Sequence, residues 1–196
     1  LLAGFTVGGT GTRKVLVRAI GPGLASFGVN GVLAAPQLRL YSGAGQLLAT
    51  NDGWADSFAL TAAFAQAGAF PLPAGSADAA ALVSLPPGSY TIQVLDGTGA
   101  GGIALAEVYD VSPATQSTTG SARLINLSTR ATINVGGNAV IGGFVVTGTE
   151  SKRLLIRGVG PSLAQFGVSS VSTDPAVVVY NSAGQALASN DDWSAA

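Results

Sequence analysis

Oxygen ligands crowd into one kind of turn, twice over. Asn51, Asp52 and Asp56 lie in NDGWADS, and Asn190, Asp191 and Asp192 lie in NDDWSAA. Carboxylate and amide oxygens at that density suit calcium, a hard cation that takes roughly six to eight oxygen ligands. The D-x-D-x-D-G spacing and closing bidentate glutamate of an EF-hand loop are absent, and Asn-Asp-Gly is also ordinary turn chemistry. These six residues are therefore a candidate calcium site, with turn formation as the competing role.

The only two tryptophans, Trp54 and Trp193, each follow one of those acidic turns. An exposed indole beside carboxylates can stack on a sugar ring, which makes extracellular polysaccharide a candidate ligand. The competing role for each ring is to close the end of an apolar core. Arg18 and Arg157 interrupt otherwise apolar strands, and Glu107 interrupts IALAEVYD. Either charge alone would be costly to desolvate, so Arg18 and Glu107 are expected to form a structural ion pair, against the alternative that each faces solvent.

Catalytic chemistry has little to draw on. The chain holds no histidine, cysteine or methionine, so the commonest general base, the thiolate nucleophile and the soft metal ligands are missing. No nucleophile elbow is present, and Asp191-Asp192 are adjacent in a turn and not opposed across a cleft. Gly97, Gly99 and Gly102 satisfy G-x-G-x-x-G, but IALAEVYD behind them alternates like a strand, whereas the dinucleotide mechanism needs a helix N-terminus there. A glycine hairpin is the expected reading. The chain is expected not to be an enzyme and to need no cofactor other than the candidate calcium.

Composition narrows the partners. Charged residues make up 10% of the 196 residues and the net charge is -1, which supplies no basic footprint for nucleic acid or anionic lipid. Mean hydropathy is +0.46, yet no apolar run reaches the roughly 18 residues of a membrane span, so membrane insertion is not expected. A chain free of cysteine and methionine suits an extracellular or cell-surface location.

The elements that must position these residues are short. LLAGFTV and RKVLVRAI, joined by GGTGT, read as a hairpin, and PQLRLYS with QLLAT reads as a second. DSFALTAAFAQAG reads as one short helix, capped by Asp56 or Ser57 and stopped at Gly68. AALVSL, SYTIQVLD and IALAEVYD read as three more strands, and ARLINLS and RATINV as the first strands of whatever follows SPATQSTTGS. Many short strands between glycine turns predict an all-β fold, an antiparallel β-sandwich of jelly-roll type with one short helix per repeat.

The whole first stretch then returns. Residues 1–57 align without a gap on residues 140–196, a period of 139 residues, with just under half of the pairs identical. That length marks duplication of a domain and not a small solenoid repeat. The expected organisation is a β-sandwich repeat over 1–111 lacking its first strand, a Ser/Thr-rich linker over 112–121, and the first half of the next repeat over 122–196. Two first halves share one second half, so identical subunits or adjacent repeats become the expected partners, with ARLINLS or RATINV able to fill a neighbour's open sheet edge.

LVSLPPGSYTIQVLDGTGAGGIALAEVYDV, preceded by YSGAGQLLATND, resembles the bacterial pre-peptidase C-terminal domain. Over its full length, through KRLLIRGVGPSL, the FGV turn and NDDW, the chain resembles the Ala/Gly-rich tandem repeats of very large secreted bacterial surface proteins. The resemblance implies a secreted tandem array and carries over no catalytic residue. The expected function is an extracellular structural or interaction module that assembles into a filament by strand addition. The alternative is a carbohydrate-binding module built on Trp54 and Trp193.

Overall fold

The computed structural model describes residues 1–113, 122–132, 139–146 and 151–192. The chain divides into two compact units, Leu1–Thr132 and Ile133–Ala196.

In the first unit every named strand pairing is antiparallel. A five-stranded sheet runs in the order β4 (Leu47–Asn51), β3 (Pro36–Ser42), β6 (Gly88–Asp96), β1 (Leu2–Gly8), β8 (Arg123–Arg130). A three-stranded sheet runs β5 (Ala79–Leu85), β2 (Arg13–Ile20), β7 (Leu105–Asp110). Among its described residues this unit is all-β apart from one α-helix, α1 (Phe58–Ala67), and a 3-10 turn at Pro22–Phe27.

Period-two alternation explains where the core sits. Phe5, Val7, Leu38, Leu40, Ile92 and Val94 of the larger sheet form one apolar cluster with Val15, Val17 and Ala19 of β2. The intervening residues of β2, Leu16 and Ile20, enter a second cluster with Trp54, Leu60 and Phe64. Strand β2 is thus covered on both faces, which is why RKVLVRAI reads as a nearly continuous apolar run.

Helix α1 follows the capping expected of it in part. Ser57 is the N-cap residue and Gly68, at φ 65°, closes the helix in the left-handed conformation that glycine adopts most readily. Leu60, Ala63 and Phe64 form its buried stripe.

The first expected hairpin is not one. β1 and β2 lie in different sheets, and the GGTGT connection, with Gly9 and Gly11 at positive φ, carries the chain from one sheet to the other. The link between β6 and β7 crosses between sheets in the same way, so the Gly97–Gly102 loop is not a hairpin either. Turn glycines report a change of direction but not which strand becomes the neighbour. The β3–β4 hairpin does form, with a bulge after Leu40.

The boundary at 112–121 also differs. Residues 114–121 lie outside the described residues, but β8 beyond them pairs with β1 from Leu2↔Arg130 to Gly8↔Arg123 and belongs to the first unit. Ala122 is buried in the first unit's core and Leu124 packs against it. The outer edge of β1 would otherwise present unpaired backbone groups, and β8 satisfies them.

Two local elements of the first unit recur in the second at an offset of 139 residues, while the described residues aligned with β1 and β2 carry no strand. A 3-10 turn at Pro161–Phe166 has the form of the one at Pro22–Phe27, each entered through a glycine and closed by a left-handed one, Gly28 or Gly167. Strands β9 (Val177–Tyr180) and β10 (Ala186–Asn190) form a hairpin whose Tyr180↔Ala186 pair matches Tyr41↔Leu47, bulge included.

Candidate functional site

The densest polar constellation surrounds Arg18 on the α1 face of β2. Its side chain is fully buried, and Nε lies 3.0 Å from Glu107 Oε2 across the β2–β7 register. That approach is not aligned as a hydrogen bond, so the attraction is that of two close charges. Nη1 donates to the Phe70 carbonyl at 2.7 Å. The guanidinium carbon sits 4.7 Å from the Phe64 ring centroid and 4.4 Å from that of Phe70, a double cation–π contact. Burial lowers the Arg18 pKa, opposed first by Glu107 and then by Tyr109 and Asp78; an arginine remains charged regardless.

Glu107 is held from its other side by Tyr109, whose hydroxyl donates to Oε1 at 2.8 Å. Burial, that hydrogen bond and the negative charge of Glu107 push the tyrosine up to about 12, against the opposing pull of Arg18. At the far end of the strand, Arg13 Nε lies 3.2 Å from Asp110 Oδ2. Pairs of opposite charge across β2 and β7 fix register, since a slip of one residue would separate both.

A second buried acid, Asp78, organises the loops over the sheet. Oδ1 accepts the Gly21 amide at 2.8 Å, and Oδ2 accepts the Gly23 amide at 3.0 Å and the Ser76 hydroxyl at 2.7 Å. Gly21 admits no side chain, because a Cβ would stand 2.0 Å from the Leu33 carbonyl oxygen. Neither Asp78 nor Phe70 stands out in the sequence; the one available signal is a lone acid directly before the apolar run AAALVSL.

The candidate calcium ligands are turned to the backbone. Asn51 Oδ1 accepts the amides of Gly53 and Ala80, at 3.3 and 2.9 Å. Both carboxylate oxygens of Asp56 accept the Gly75 amide, at 3.0 and 3.1 Å, while Asp52 is exposed. Among the described residues no group of three or more acidic, histidine or cysteine side chains converges as a metal would require. In the second copy Asn190 Nδ2 donates to the Asp192 carbonyl, and Asp191 and Asp192 are exposed.

Trp54 is 6% exposed and sits against Phe64, with Nε1 donating to Ser76 Oγ at 3.2 Å. It has no free face for a sugar ring, which corrects the stacking role considered for it. Trp193 lies outside the described residues. The glycine triad is organised by Asp96, whose carboxylate accepts the Thr98 and Gly101 amides and the Thr98 hydroxyl. These bonds, led by that of Gly101, hold the Asp96 pKa below the ordinary carboxylate range. A strand, not a helix, follows.

An open depression of about 370 Å³ is lined by Ser42, Gln46, Leu48, Leu85 and Tyr90 among others. Its Tyr90 hydroxyl is committed to the Pro86 carbonyl at 2.6 Å, and no carboxylate or cation lines it. No helix among the described residues is long and apolar enough to cross a membrane.

The remaining feature is the edge of β1. Gly4 and Gly8 face β8 so closely that a Cβ on Gly4 would meet Ser128 Oγ at 2.6 Å and one on Gly8 would meet Ile125 Cδ1 at 2.7 Å. Ser128 Oγ donates to the Gly4 carbonyl at 3.3 Å. No protein-family model, curated protein or solved structure matches the chain.

Proposed function

We propose that the chain is an extracellular structural and interaction module of a tandem-repeat bacterial surface protein, without catalytic activity, in which antiparallel β-sandwich repeats of jelly-roll type recur every 139 residues and assemble into a filament by strand addition. The observation that carries this reading is β8 on the outer edge of β1. Strand β8, from beyond the Ser/Thr-rich segment of the same chain, supplies the fifth member of the first unit's sheet, so assembly by strand addition requires β8 of one copy to exchange onto β1 of another. Strand addition works through main-chain hydrogen bonds with side-chain fit as the selector, and Gly4 and Gly8 supply that fit.

The recurrence of the 3-10 turn and of the bulged hairpin supports reading the two units as copies of one design. The buried Arg18 and Asp78 and the half-buried Glu107 support a structural role, since each is spent on internal partners.

Sedimentation of the purified chain and of its Gly4→Val variant tests the reading. Concentration-dependent oligomers are expected for the wild type, and at least tenfold weaker association for the variant, consistent with losing about 1.4 kcal/mol or more of edge pairing. Monomers at every concentration, or association unaffected by Gly4→Val, would remove strand addition from the account.

A further inference from the structure

The polar constellations inside the first unit are committed to internal partners, whereas the outer face of its five-stranded sheet holds polar groups that are not. Alternation sends Leu38, Leu40, Ile92 and Val94 to the core, so Arg39, Tyr41, Thr91 and Gln93 between them face outward. Among the described residues the side chains of these four bond to no protein group. Strand register sets Arg39 beside Gln93, Gln93 beside Leu2 and Leu2 beside Arg130, one row across four strands. At about 4.8 Å per strand, the two arginines of that row stand roughly 14 Å apart. Tyr41 and Thr91 lie side by side in the next row.

Charge on this face has one sign. Arg39, Arg123 and Arg130 are exposed, and none has an acidic partner among the described residues. Asp96 is the only acid in the five strands; it falls on the core-facing alternation at the end of β6 and accepts bonds from its own loop. A chain of net charge -1 therefore presents one face whose only charges are cations. Arg39 is not required by the hairpin that carries it, because β9 and β10 form the same bulged hairpin with Val178 at the corresponding position.

We propose that this face, through Arg39, Tyr41, Thr91, Gln93 and Arg130, binds an acidic polysaccharide, a polymer of uronic acid sugars lying across the strands. The planar fork of arginine matches a carboxylate, the Gln93 amide and Thr91 hydroxyl match sugar hydroxyls, and the Tyr41 ring offers an apolar surface to a pyranose. Duplex DNA is the poorer match, with one charge per about 1.7 Å against arginines roughly 14 Å apart. The surface does not involve Trp54 and does not depend on filament formation.

The test is affinity electrophoresis of the full chain in gels holding polygalacturonate, or the same polymer with its carboxyl groups reduced to alcohols. Retardation is expected in the first gel and not in the second. Arg39→Val, which installs the residue of the second hairpin, is expected to weaken binding about tenfold through loss of a charge-assisted contact. Lys14→Ala removes the same charge from an exposed position on β2, in the other sheet, and is expected to bind as wild type does. No retardation by polygalacturonate, equal retardation by the reduced polymer, or equal binding by Arg39→Val and Lys14→Ala would each overturn the proposal.

Discussion

Arg18 Nε stands 3.0 Å from Glu107 Oε2 in the interior of the first unit, enclosed by Phe64 and Phe70. Arg18 has left water entirely and Glu107 in large part, so the pair stabilises the fold only while both members are present. Arg18→Ala is expected to cost about 3–5 kcal/mol in urea unfolding, because Glu107 is left without its counter-charge. The double variant Arg18→Met with Glu107→Leu should lose less than Arg18→Ala alone. A single variant within about 0.5 kcal/mol of wild type would contradict the pairing.

Tyr109 makes the same network sensitive to alkali. Its folded pKa of about 12 lies above the ordinary value of 10.0, so the proton is held more tightly in the folded state. The associated stability is fully present below about pH 10 and is lost as pH rises toward about 12. Tyr90, also raised by burial, contributes in the same direction. Unfolding followed from pH 8 to pH 12 should show a fall above pH 10 that is smaller in Tyr109→Phe; identical profiles for the two proteins would refute the assignment.

Calcium is expected to leave stability unchanged. Asn51 Oδ1 and the Asp56 carboxylate already serve backbone amides, and a metal would have to displace those bonds. Melting curves with and without chelator should coincide. Asn51→Ala should instead destabilise by about 1–3 kcal/mol, because the Ala80 amide is orphaned. A chelator-dependent shift in the melting temperature would restore the ion.

The strands, the helix and the buried charge pair were legible because each is announced locally. Apolar alternation marks Leu38 and Leu40, Gly68 stops α1, and a charge amid RKVLVRAI asks for a partner that IALAEVYD contains. Strand neighbours were not legible, since GGTGT serves a hairpin and a crossing between sheets equally well. The position of β8 was hidden for the same reason. A Ser/Thr-rich stretch looks like a boundary whichever sheet the next strand joins, and only the close fit of β8 against Gly4 and Gly8 decides it. Asp78 was missed because its partners, the Gly21 and Gly23 amides, lie more than fifty residues away and backbone donors leave no mark in sequence. The role of Trp54 turned on exposure, which neither its type nor its neighbours fix.

Electron microscopy of the purified chain tests the central claim most directly. Filaments or beaded stalks are the predicted result, shortened or absent in Gly4→Val. Isolated compact particles at every concentration, unchanged in the variant, would contradict it.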